Sequence, residues 1–163
     1  MTKVKFDIAG QVPSKKNNKR ILKNSRTGKM FIASSEKFNE WHNQAMMDLC
    51  FRLNKDRGIF RDKQVEIELT FYNSDNRRHD LDNMTSSVLD LLVDAEFIDD
   101  DCCRVVSKVT VIFGGVDRQA PRVEVEINSV KRKYAPKNSC SELCYNNHRI
   151  ADRKVRFLFG EIS

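Results

Sequence analysis

At 163 residues the chain is long enough for one domain with a proper core, and no apolar run in it approaches the ~20 residues needed to span a membrane. Five cysteines, two of them adjacent at Cys102-Cys103, make a poor disulfide framework, and the opening Met1-Thr2-Lys3-Val4-Lys5-Phe6-Asp7 lacks the apolar stretch of a secretory signal. Membrane and secreted classes are set aside; a reducing cytoplasm and, with a net charge of +6, a polyanionic partner are expected.

Residues 3–9 read as a first strand, with Val4, Phe6 and Ile8 alternating against Lys3, Lys5 and Asp7. A basic loop follows. Between Asp7 and Glu36 there is no acid, while Lys15, Lys16, Lys19, Arg20, Lys23, Arg26 and Lys29 all fall there, which leaves the remainder of the chain at −1. Lys29-Met30-Phe31-Ile32 reads as a short second strand, and Ser34 or Ser35 can cap the helix after it. In that helix Phe38, Trp41, Ala45, Met46, Leu49 and Leu53 recur at three- and four-residue steps, one apolar stripe ending near Asn54.

Val65, Ile67, Leu69 and Phe71 alternate through a third strand, ended by Asn73-Ser74-Asp75-Asn76. A second helix buries Met84, Val88, Leu91, Leu92 and Ala95, and strands at Val105–Phe113 and Val123–Ile127 are expected to pair as an antiparallel hairpin. The order β-β-α-β-α-β-β predicts an α+β domain over residues 1–130, a mixed sheet with two helices on one face. Residues 131–163 form a basic C-terminal extension without clear period; Val155 to Phe159 could add a strand.

The chemistry concentrates in Arg77-Arg78-His79-Asp80-Leu81-Asp82-Asn83 and in Asp99-Asp100-Asp101. An extended D-x-D would put Asp80 and Asp82 on one side and Leu81 in the core. Hard carboxylate oxygens suit Mg²⁺, with Mn²⁺ as a substitute. A helix of about eleven residues is roughly 16–18 Å long. The seven steps from Asp94 to Asp101, at no more than ~3.6 Å each, can return to its start, whereas five steps to Asp99 barely can. The spacing therefore permits a catalytic, metal-holding site formed by Asp80, Asp82 and the end of the acidic triplet, with Asp101 favoured over Asp99. Lys15, Lys16, Asn17, Lys19, Arg20, Arg77 and Arg78 are the candidate DNA-binding set. The competing account is a helix cap at Asp82 or Asn83, a turn at Asp80 and a solvated acidic loop.

Asp80-Leu81-Asp82-Asn83, a helix with Leu89-Asp90-Leu91-Leu92, and Asp100-Asp101 leading into a strand together resemble the RusA family of Holliday junction resolvases. Val12-Pro13-Ser14-Lys15-Lys16-Asn17 is similar to that family's P-S-x-x-N segment, and the likeness spans roughly residues 3–128. It implies a homodimeric, Mg²⁺-dependent endonuclease that nicks opposed strands of four-way DNA junctions, often phage- or prophage-encoded, with its three acids at Asp80, Asp82 and Asp101. The family's motif carries a lysine four residues after the second aspartate; here that position is Ser86. Two other functions stay open: a catalytically weakened or inactive branched-DNA-binding protein, and an interaction protein whose basic arm binds RNA or an acidic partner. Cys140, Cys144 and His148 offer three zinc ligands at an atypical spacing with no evident fourth. His79 is a candidate general base, His42 a structural residue, and Tyr134 a candidate base-stacking residue.

Overall fold

The computed structural model describes residues 2–14, 20–23, 25–28, 30–33 and 35–131. Nine elements appear among them: β1 (Lys3–Ala9), β2 (Arg20–Lys23), β3 (Met30–Ala33), α1 (Glu36–Arg52), a 3-10 turn (Asn54–Asp56), β4 (Gln64–Asn73), α2 (Leu81–Asp94), β5 (Val106–Val116) and β6 (Arg122–Val130). The α+β class with a mixed sheet and two helices is as the sequence predicts. The order gains one strand, β2, which pairs with β3 in a separate two-stranded ribbon inside the segment expected to be basic loop.

The main sheet runs β1-β6-β4-β5. β6 is antiparallel to both β1 and β4, and β5 is parallel to β4. The expected β5–β6 hairpin does not form, because β4 lies between the two strands. Burial accounts for the choice. Val123, Val125 and Ile127 of β6 are each fully buried and need a central position, whereas β5 is mostly exposed and can be an edge. The α2 connection then lets β5 run parallel to β4, which a tight turn could not do.

The period of two along β4 turns Val65, Ile67, Leu69 and Phe71 into the core, facing the helices. From α1 come Phe38, Trp41, Ala45 and Leu49; from α2 come Met84, Val88, Leu91 and Leu92. Ser35 caps α1, its hydroxyl accepting from the Phe38 N–H at 3.2 Å. The opposite face of the sheet is charged: Lys3 pairs with Glu126 at 2.7 Å, and Lys5 lies 4.0 Å from Glu124. Where β5 bulges against Tyr72, Gly114 is required, since a Cβ there would come within 2.7 Å of the Tyr72 ring.

α2 is held to its neighbours by polar contacts as well as packing. His42 of α1 meets Asp94 at 3.0 Å, so that histidine has the structural role expected of it. The buried Ser87 hydroxyl donates to the Pro13 carbonyl at 2.8 Å. Gln11 accepts from the Ser74 N–H at 2.7 Å and donates to Asn73 at 3.1 Å, fixing the chain after β1 beside the end of β4. The segment leading to Ser14 and the start of α2 are thereby brought together.

Candidate active site

Asp80 is the N-cap of α2, with extended backbone at φ −91° and ψ 107°. One carboxylate oxygen accepts from the Asp82 N–H at 3.1 Å, and the other accepts from the Asn83 side-chain amide at 2.7 Å. This is what an aspartate does at a helix start, where orphan N–H groups need acceptors. The D-L-D segment is therefore not an extended run with alternating side chains. Asp80 caps, Leu81 opens the helix and packs on the core, and Asp82 is an exposed first-turn residue near the positive end of the helix dipole. The competing account was right that a cap exists but placed it at the wrong residue.

Asn83 is buried and was absent from the candidate set, although it completes the D-L-D-N motif. Its amide fixes the rotamer of Asp80. Ser86, on the next turn, donates its hydroxyl to the Asp82 carbonyl at 3.1 Å, and α2 contains no basic residue.

The return path after α2 is not extended. Ala95 caps the helix, Glu96 takes a left-handed φ of 60°, and the N–H groups of Phe97 and Ile98 both turn back to the Leu92 carbonyl. Buried Phe97 and Ile98 anchor that turn. Turns cover less ground than an extended chain, so the path from Asp94 toward the acidic triplet is shorter than its residue count allows. The charge of Asp90, on α2, is felt at the Asp101 carboxyl.

Burial, then the hydrogen bond and charge of Asp100, then the charge of Asp90 push the Asp101 carboxyl above its ordinary range. Asp100 also accepts from the Asp101 N–H at 2.8 Å. Asp99 is turned elsewhere, its carboxylate accepting from the Asp62 N–H at 2.7 Å.

Among the described residues, no three His, Cys, Asp or Glu side chains are gathered closely enough to hold a metal ion. Asp80 and Asp82 sit at the start of α2, and Asp101 is hydrogen-bonded to its neighbour Asp100. The donor chemistry fits a hard divalent cation: every group is a carboxylate, and the mutual repulsion at Asp101 is what a cation relieves. Asp90 and Asp100 were missed as site neighbours. The signal for Asp90 was its place eight residues after Asp82, on the same side of the helix.

Of the candidate DNA-binding set, Arg78 lines an open cleft beside Asp80, and Arg77 lies 3.7 Å from Asp75 with its side chain largely exposed. Arg20 begins β2. Lys15, Lys16, Asn17 and Lys19 lie outside the described residues, as do Tyr134, Cys140, Cys144, His148 and the suggested strand at 155–159. His79 is half-buried and engaged with Asp75 at 2.9 Å, which argues against a free general base. This pairing and the Arg77 N–H hold Asp75 below the usual carboxylate range.

Residues 10–128 match the family model described as endodeoxyribonuclease RusA. The chain belongs to the RusA endodeoxyribonuclease family. That is a family of Holliday junction resolving endonucleases, and its members bind DNA junctions. The match begins just after β1 and runs through most of β6, so both the cap of α2 and the acidic triplet fall inside it. No curated protein matches the chain as a relative. Among the described residues, no helix is long and apolar enough to cross a membrane.

Proposed function

We propose that this RusA-family chain is a Mg²⁺-dependent endonuclease that nicks opposed strands of four-way DNA junctions as a homodimer. The observation that carries the reading is that Asp80 and Asp82 lie at the positive end of α2, while Phe97 and Ile98 turn the chain leading to Asp101 back onto Leu92 of the same helix. Asp80, Asp82 and Asp101, which do not form a ready cage, would be drawn together to hold the metal, for which Mn²⁺ could substitute. The ion, when bound, lowers the pKa of a water and stabilises charge on the leaving oxygen.

The chain's own residues orient and grip. Asn83 holds Asp80 in one rotamer. Lys15, Lys16, Asn17, Lys19, Arg20, Arg77 and Arg78 would contact the DNA backbone, which positions the protein without reading sequence. Selectivity then rests on junction shape. Free thiols at Cys50, Cys102 and Cys103 suit the reducing interior of a bacterial cell or a phage-infected host.

The edge strand β5 supports the homodimer. Val109, Val111 and Phe113 lie beside Ile67, Leu69 and Phe71 on the helix-covered face, yet stand 37%, 37% and 52% exposed at the open edge of the sheet. Residues 109–116 contain no charge and no proline to discourage pairing. β1, at the other edge, carries exposed Lys3, Lys5 and Asp7. Antiparallel pairing of β5 with its copy about a two-fold axis would cover this surface and present two sites to two strands.

A second reading has one observation in its favour. With Ser86 where the family has a lysine, α2 supplies no cation, and a branched-DNA-binding protein of weakened activity follows. A labelled synthetic four-way junction titrated with Mg²⁺ separates the two. Symmetric, metal-dependent nicks support the enzyme. Tight binding without nicks supports the second reading, and absence of both removes them together.

A further inference from the structure

An open cleft of about 330 Å³ adjoins Asp80, at the lower end of the ~300–1,000 Å³ range of ligand pockets. Its lining includes Pro13, Ser14, Lys37, Arg78, Asp80 and Met84. Most of this wall is fixed. Pro13 is tied to α2 through Ser87, Met84 is 2% exposed in the core, and Asp80 is held by Asn83. Lys37 projects from the first turn of α1, whose start is set by the Ser35 cap.

A lysine in a helix's first turn sits against the dipole, so local helix energetics do not explain it. Nor does an ion pair. Neither Lys37 nor Arg78 has an ion-pair partner among the described residues, because Asp75, beside Arg78 in the chain, is engaged by His79 and Arg77. Two uncompensated cations on one cleft wall with a carboxylate call for an anion that can also accompany a metal ion. A phosphodiester meets that description.

We propose that Lys37 is a phosphate-binding residue of this site. With Arg78 it takes the DNA backbone phosphate adjoining Asp80, supplying from α1 the positive charge that α2 lacks at Ser86. The substrate rests on the nuclease reading above; the phosphate contact does not require that the bond be cut.

The test uses the full chain, a synthetic four-way junction, and two variants. Lys37→Met removes the charge and keeps the stem; Lys37→Arg keeps the charge. Lys37 is exposed, and an unchanged thermal melt verifies that both variants fold. Lys37→Met is expected to reduce the slope of log affinity against log salt by about 0.9, the value for one lost phosphate contact. It should also slow single-turnover nicking by 10-fold or more at saturating DNA, with Lys37→Arg close to wild type in both. A salt slope equal to wild type in Lys37→Met overturns the assignment, whatever the rate does. A chain that makes no nicks but still shows the Lys37-dependent slope upholds the phosphate site and removes the nuclease reading instead.

Discussion

The Asn83 side-chain amide donates to Asp80 at 2.7 Å from a position only 7% exposed, so one buried residue fixes the direction of a carboxylate at the mouth of a cleft. The second Asp80 oxygen is engaged by the Asp82 N–H, and the carboxylate has little freedom left. A metal-holding group positioned in this way loses less entropy when it binds.

Asn83→Ala is expected to free Asp80 without moving α2, since the Asp82 N–H contact remains. A lost outer partner of a metal-holding group costs roughly 10–100-fold in metal affinity or activity. The Mg²⁺ concentration giving half-maximal nicking should rise by that factor while junction affinity in chelator stays constant. A normal metal requirement would remove Asn83 from the site.

Asp80 has two roles that substitution can separate. Asparagine caps a helix about as well as aspartate but has one acceptor oxygen, so Asp80→Asn should keep the Asp82 N–H bond, lose the Asn83 one as placed, and destabilise less than alanine, which loses both and costs about 1 kcal/mol or more. Nicking should vanish in both. A nicking Asp80→Asn variant would mean that the cap is the residue's whole contribution. Asp82→Asn, which leaves the cap intact, should likewise bind junctions without cutting them.

The pH dependence of stability follows from Asp101. Its folded pKa is raised above the ordinary value of 3.8, chiefly by burial and then by Asp100. The folded chain therefore binds this proton more tightly than the unfolded chain. The contribution is fully present below pH 3.8 and is lost as pH rises through the raised value. In chelator, Asp101→Asn should consequently melt higher than wild type at neutral pH, with the gap closing toward pH 4. Melts from pH 4 to 8 check this, and a gap independent of pH would contradict it. Asp101 is exposed enough for the effect to be small.

Phe113→Glu places a charge at the middle of the uncovered β5 surface, directly beside where a second copy would lie. The side chain is half-exposed, so the monomer should fold with an unchanged melt at low concentration. Sedimentation should show wild-type dimer and variant monomer. A variant that stays dimeric puts the two-fold interface elsewhere.

Much of this fold was legible because its signals are local. The alternation of Val65 to Phe71, the three-and-four spacing from Phe38 to Leu49, and the Ser35 cap each depend on a few neighbouring residues. The acids near the ends of α2 were legible too, from chain length and the D-L-D-N spacing. Strand adjacency was not. Val106–Val116 and Arg122–Val130 look like a hairpin in sequence, and only the competition for buried positions puts β4 between them.

The same division runs through the site. Sequence by itself determined the domain class, the positions of the carboxylates around α2, and a helix without a lysine at Ser86, since residue type and spacing are written in the chain. Tertiary structure decided that Asp80 caps rather than extends, that Asn83 holds it, and that Lys37 shares its cleft. It also decided that the chain after α2 turns back at once, because Phe97 and Ile98 anchor a path whose upper limit alone the residue count can give.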